Sequence, residues 1–145
     1  MVQQTGLLIA FEGIDGTGKT TLLSHIKQRL EALGLIVVAF KEPTNETAAG
    51  KNLRESYSKG RVSPEEELIW FMDDRTWNVQ TRILPALAEE KIVLLDRYFY
   101  STACYQGARL NNNWENILAE NRARFPEPDL TIILDLPPEV SLQRI

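Results

Sequence analysis

The stretch Phe11–Thr21, FEGIDGTGKTT, limits what this chain can become more than any other part of it. Gly13, Gly18, Lys19 and Thr20 fit the spacing G-x-x-x-x-G-K-[ST]. The apolar run LLIAF precedes the glycines, and TLLSHIKQRLEAL follows with apolar residues at helical spacing. Strand, glycine loop, helix is the order that phosphate binding demands. Glycines let backbone N–H groups turn inward around a phosphate chain, and the helix N-terminus adds its partial positive charge. In such a loop Lys19 reaches the β- and γ-phosphates of a nucleoside triphosphate, and the Thr20 hydroxyl ligates Mg²⁺. The bland alternative is a glycine-rich strand-to-helix turn with an incidental lysine.

A chain of 145 residues suits one domain with a real core. Its net charge of −4 gives no basic surface for a nucleic acid polymer or an anionic membrane. An anionic substrate must then be gripped by local arginines and backbone dipoles. The single cysteine, Cys104, excludes an internal disulfide framework, suits a reducing cytoplasm and reads as a small buried hydrophobe. The opening MVQQTG has no charged-then-apolar leader, and no apolar run approaches the length of a membrane span.

In order, Leu7–Glu12 reads as a strand covered on both faces. The next helix carries Leu22, Leu23, Ile26, Leu30 and Leu33 on one side, leaves His25 on its solvated side and stops at Gly34. Ile36–Phe40 is a second strand, followed by the loop KEPTNET and a short polar helix over Thr47–Tyr57. Ser63-Pro64-Glu65-Glu66 is a helix start with a capping box and proline at the first position. That helix runs on with a kink or break near Pro85. Lys91–Leu95 is a third strand ending in Asp96-Arg97-Tyr98, and helices over Tyr98–Gly107 and Trp114–Arg124 flank a polar Asn111-Asn112-Asn113 loop. Leu130–Leu136 is a fourth strand, and Pro138 begins a last helix. The alternation predicts an α/β sandwich: a mostly parallel sheet, helices on both faces and right-handed crossovers. Ligands of such sheets lie beyond the carboxyl ends of the strands, where Phe11–Thr20, Lys41–Thr44 and Asp96–Tyr98 all fall.

Taken together, the motifs resemble those of the thymidylate kinases, which are nucleoside-monophosphate kinases of the P-loop class. The likeness runs from Leu7 to Ile145. It comprises FEGIDGTGKTT, the Glu42-Pro43 dipeptide, F-x-x-D-R at Phe71–Arg75, DRYFYSTACYQG at Asp96–Gly107 and PDLTIILDLPPEVSLQRI at the end. The resemblance implies the three-layer P-loop NTPase fold and transfer of the γ-phosphoryl group of ATP·Mg²⁺ to dTMP, giving dTDP and ADP. It implies that Gly13, Ile14, Asp15, Gly16, Thr17, Gly18, Lys19, Thr20 and Thr21 hold ATP, and that Thr20 and Asp96 serve the metal directly or through water. By the same likeness, Arg97 clamps the dTMP phosphate, Arg75 orients monophosphate and base, Phe71 stacks on thymine, and Asp15 holds the deoxyribose 3′-hydroxyl. Glu42 belongs to the acceptor and metal rim, Tyr98 and Tyr105 line the sugar pocket, and Ser101, Thr102 and Gln106 line the base and sugar side. Lys19, Arg97 and Asp15 carry the catalytic expectation. ATP and dTMP are the implied partners. Homodimers are usual in the family, and the long Glu65–Ala88 helix with Trp70 and Trp77 offers an interface, although core burial explains those tryptophans equally well.

On the residues alone, each assignment has a rival. Phe71 serves as well in a core beside Leu68, Ile69 and Met72, and Asp74–Arg75 as surface charge. Asp96-Arg97 serves as a strand end, and Tyr98, Phe99, Tyr100 and Tyr105 as an aromatic layer on the sheet. The chain departs from the family pattern in two places. Thr44 and Asn45 follow Glu42-Pro43 where glycines are usual. The sequence also ends before the family's lid, last strand and adenine-contacting loop, so a single P-loop kinase domain incomplete at its C-terminus, with Leu130–Leu136 as an exposed edge, is the expectation. A catalytically incompetent nucleotide-binding fragment and a deoxynucleoside kinase are the competing functions.

Overall fold

The computed structural model describes residues 6–145. The expectation that the opening residues carry no leader falls largely on residues 1–5 and so lies outside the described residues. Among the latter, four strands form one parallel sheet: β1 (Leu7–Glu12), β2 (Val37–Lys41), β3 (Ile92–Asp96) and β4 (Leu130–Ile133), in the order β2-β3-β1-β4. The helices are α1 (Lys19–Ala32), α2 (Ala48–Lys59), α3 (Pro64–Asn78), α4 (Leu84–Ala88), α5 (Phe99–Arg109), α6 (Trp114–Arg124) and α7 (Pro138–Gln143). The chain forms two compact units. Met1–Phe40, Pro85–Tyr98 and Pro128–Ile145 make the first, and Lys41–Leu84 with Phe99–Glu127 make the second.

The first unit holds the sheet, save for Lys41 at the end of β2. Its two central strands, LLIAFE and IVLLD, are nearly continuous apolar runs because both faces of an inner parallel strand are covered. Phe11, Leu23, Val37 and Leu94 form a buried cluster against which Leu22, Ile26 and Leu30 of α1 pack. Leu33, expected on that apolar side, is exposed: α1 ends at Ala32, and the chain turns away through Gly34 at φ 85°. Parallel pairing aligns Phe11 of β1 with Asp96 of β3, so both carboxyl ends open onto one rim. β4 pairs with β1 over Ile9–Glu12, and the hydrogen bond from Leu134 N–H to the Glu12 carbonyl at 2.9 Å carries the contact one residue further. The strand is shorter than the apolar run Leu130–Leu136 suggested, and Leu130 and Ile133 are exposed on it.

The second unit is helical. α3 starts as its sequence requires: the Ser63 hydroxyl accepts from Glu66 N–H, Pro64 stands at the first position, and Glu65, Glu66 and Glu67 face the positive helix end. After Asn78 the helix widens into a π-helical segment, Val79–Ile83, and α4 begins at Leu84. Pro85 explains the place of the break. It has no N–H, its ring crowds the carbonyl four residues back, and a wider turn relieves that contact. α2 is capped by Thr47, and α5 packs on α6 and α3. Cys104, read as a buried hydrophobe, is exposed. Thr102, Ala103, Gln106 and Gly107 form the buried side of α5, and position 104 falls on the other. His25 of α1 is exposed as expected. No helix among the described residues is long and apolar enough to cross a membrane.

Candidate active site

In the first unit the glycine loop connects β1 to α1. Gly18, the N-cap of α1, has φ 87°, a left-handed conformation that a Cβ would strain, and a Cβ there would meet nothing within 4 Å. Thr17 closes the loop on itself, donating from its hydroxyl to the Ile14 carbonyl at 2.9 Å. Lys19 and Thr20 open α1, and both turn to Asp96 at the end of β3. Lys19 Nζ lies 3.1 Å from Asp96 Oδ1, and the Thr20 hydroxyl donates to Asp96 Oδ2 at 2.8 Å. Lys19 and Asp96 are both buried. The two hard oxygen donors, one hydroxyl and one carboxylate, fit Mg²⁺, which keeps several waters and takes its other ligands from phosphate oxygens. Among the described residues, buried Asp96 Oδ1 has an ion-pair partner but no hydrogen bond, which leaves it acceptor capacity for such an ion or its water.

Arg97 follows with φ 71°, unusual for a long side chain and worth about 1–3 kcal/mol of backbone strain. Its own N–H donates to the Phe11 carbonyl at 3.0 Å, and the next N–H, of Tyr98, donates to Glu12 Oε1 at 2.9 Å. These bonds hold the turn that lets Asp96 point at α1 while the Arg97 side chain goes to Asp15, 2.6 Å away, at the loop's exposed tip. Glu12 was not singled out in the sequence. Its signal was there: a carboxylate closing an otherwise apolar strand, now buried.

In the second unit Arg75 is 1% exposed, which rules out its reading as surface charge. Its Nε donates to Glu42 Oε1 at 2.8 Å, one terminal nitrogen to Asn121 Oδ1 at 2.8 Å, and the other to the Thr102 hydroxyl at 3.0 Å. The guanidinium lies 5.9 Å from the Phe125 ring centroid. Glu42, joined to Pro43 by a cis peptide bond, also accepts from Asn78 Nδ2 at 3.2 Å. One turn before Arg75 on α3, Phe71 is half-buried, whereas its neighbour Met72 is in the core. One turn before Phe71 again, Glu67 is fully buried. Arg61 takes both its oxygens at 2.9 Å, Arg109 lies 2.5 Å from Oε2, and Gln106 Nε2 donates to Oε2 at 3.3 Å. Burial pushes the Glu67 carboxyl up, but the hydrogen bonds from Arg61, Arg109 and Gln106 outweigh it and hold the group below its ordinary 4.5.

The expected residues thus fall into connected groups. The first unit brings Lys19, Thr20 and Asp96 into one contact and Asp15 and Arg97 into another. The second joins Glu42, Arg75 and Thr102, and ties Gln106 to Glu67. Ser101 is half-buried, Tyr105 is exposed, and Tyr98 of the first unit is fully buried. Asn121, Asp74 and Glu67 were not assigned roles from the sequence. Buried polar residues on amphipathic helices look like surface until their partners are known.

A family model described as thymidylate kinase matches residues 11–145. The chain belongs to the thymidylate kinase family. It is 51% identical over 140 residues to the thymidylate kinase of Xanthomonas euvesicatoria pv. vesicatoria (strain 85-10), covering 97% of this chain and 61% of that protein. It is 45% identical to the thymidylate kinase of Xylella fastidiosa (strain M12), again over 97% of this chain and 63% of the relative. The chain therefore spans about three fifths of the length of the thymidylate kinases it matches.

The Glu67 network sets a pH dependence. Because its carboxyl titrates lower in the folded state, the stability it contributes is complete above the ordinary value and is lost as pH falls through the lowered one. Urea midpoints should decline below about pH 4.5 in the parent chain, with a shallower decline in Glu67→Gln. Parallel acid limbs for the two proteins would refute the assignment.

Proposed function

We propose that this chain carries the phosphoryl-transfer chemistry of a thymidylate kinase, moving the γ-phosphoryl group of ATP to dTMP to give dTDP and ADP. The observation that carries this reading is the Lys19–Asp96–Thr20 contact at the N-terminus of α1, in a chain of this family. The ATP phosphates lie along the loop amides of Gly13–Thr21, with Lys19 exchanging part of its contact with Asp96 for the β- and γ-oxygens. Thr20 and Asp96 hold Mg²⁺, which when bound neutralises phosphate charge. A phosphate oxygen of dTMP attacks the γ-phosphorus as the bond to the β–γ bridging oxygen breaks, and ADP leaves with that bond's electrons. Charge spreads over the transferring oxygens, so positioned cations supply most of the catalysis.

Arg97 takes the dTMP phosphate; its planar fork grips two oxygens as a lysine cannot. Asp15, its partner here, receives the deoxyribose 3′-hydroxyl. Arg75 orients the monophosphate and base, Ser101, Thr102 and Gln106 line the base and sugar side, Tyr105 lines the sugar pocket, and Phe71 stacks on thymine. Glu42 supports the acceptor side through Arg75. In this reading residues 1–145 belong to one kinase domain that works in the cytoplasm, with neither nucleic acid polymer nor membrane as partner, and two copies pair through the helices that carry Trp70 and Trp77.

An assay of ADP release with dTMP, dUMP and thymidine tests the chemistry, run on this chain and on any longer form. ADP should appear with dTMP and not with thymidine. Turnover of thymidine alone would make it a deoxynucleoside kinase, and binding without turnover in every form would leave a nucleotide-binding module. Lys19→Ala and Arg97→Ala should each lower kcat/KM by about 100-fold or more with circular dichroism unchanged; parental kinetics in either would remove that residue from the mechanism. Sedimentation velocity should give a dimer, and a monomer at every concentration would refute the pairing.

A further inference from the structure

Thr44 follows the Glu42-Pro43 dipeptide and is buried in the second unit. Its N–H donates to Asp74 Oδ2 at 2.7 Å, and its hydroxyl donates to Asp74 Oδ1 at 2.6 Å. The Thr47 hydroxyl donates to the same Oδ1 at 2.5 Å, while its oxygen accepts from Gly50 N–H at 2.8 Å at the start of α2. Asp74 is 1% exposed, and these three neutral donors hold its carboxylate. Hydrogen bonds to a buried ionised group are among the strongest a protein makes. The loop lies so close that a Cβ on Gly50 would be 2.2 Å from the Thr44 carbonyl oxygen and 2.7 Å from Asp74 Oδ1.

On the other side of Pro43, Glu42 meets Arg75, the residue after Asp74. Two consecutive side chains of α3 thus grip one loop on either side of a proline. Asp74 takes Thr44 and Thr47; Arg75 takes Glu42. A guanidinium on a flexible stem has its plane fixed only by its contacts, here Glu42 on Nε and Asn121 and Thr102 on the terminal nitrogens. Glu42 is the one of these three that sits on a loop, and its place depends on how that loop is anchored.

We infer that Asp74, through Thr44, is a positioning residue for Arg75: by fixing the loop over 42–47 it sets Glu42 against Nε and so orients the guanidinium toward the bound monophosphate. This rests on the reading of Arg75 as a dTMP contact. Asp74 touches no substrate and acts through its neighbour. The hydroxyl at position 44 supplies two-point anchoring that a glycine, with its N–H alone, does not. Small displacements of a positioning group have large effects on bound substrate.

Calorimetric titration of dTMP and of a non-hydrolysable ATP analogue tests this in four proteins: the parent, Thr44→Val, Arg75→Ala and the double variant. Thr44→Val should weaken dTMP about tenfold, the size of one lost hydrogen bond to a charged group, and leave the ATP analogue unmoved. In the Arg75→Ala background the same change should cost under about twofold, because the residue it acts through is gone. Thr44→Ser should restore parental affinity. Equal losses in both backgrounds, or none in either, would overturn the positioning role. Asp74→Asn, read in the same cycle, carries the test should Thr44→Val not fold. A parent chain that binds the ATP analogue but not dTMP would overturn the acceptor assignment itself, and this inference with it.

Discussion

Asp96 meets the first two residues of α1 through its two oxygens, one on the Lys19 ammonium and one on the Thr20 hydroxyl. The glycine loop has to lie where it does for both contacts to form, and they form because β1 and β3 are parallel neighbours with Phe11 opposite Asp96. Shifting that register by one residue would turn Asp96 to the other face of the sheet. The apolar cluster of Phe11, Leu23, Val37 and Leu94 opposes such a slip, since it would break up the packing of those side chains. Hydrophobic burial therefore fixes the geometry of a polar site that contributes little to stability itself.

The backbone strain at Arg97 belongs to the same construction. A left-handed residue after Asp96 lets adjacent side chains face different partners, Asp96 toward α1 and Arg97 toward Asp15. The bonds to Phe11 and Glu12 keep the turn from relaxing. Strain of this sort concentrates at functional positions, where an extended chain would send a side chain the wrong way.

The second unit solves a different problem, that of keeping charges ordered inside a helical bundle. Glu67, Asp74 and Arg75 lie on one helix, and each is matched: two arginines and an amide for Glu67, three neutral donors for Asp74, a carboxylate, an amide and a hydroxyl for Arg75. Buried ion pairs of this kind seldom add much net stability, because desolvation offsets the attraction, but they tolerate few alternative arrangements. Side chains on α3, α5, α6 and the loops that carry Arg61, Glu42 and Thr44 are thereby tied to particular rotamers.

The glycine loop, the strand-and-helix alternation, the capped start of α3 and the break ahead of Pro85 are all legible in the amino-acid order. These depend on spacing, on residues with special backbone behaviour and on apolar periodicity, all of which act locally. Family likeness pointed to Arg75, Arg97, Asp96 and Glu42 without saying what held them. It took the packed fold to set Glu12 beneath the Asp96–Arg97 turn, Asn121 on the Arg75 guanidinium, Asp74 against Thr44 and Thr47, and Cys104 on the outside. A buried polar residue is recognisable only by its partner, and these partners come from positions far apart in the chain, as Glu12 and Tyr98 or Arg75 and Asn121 do. Composition and periodicity carry no record of such pairings, since a helix face that looks solvated becomes interior once another element packs on it.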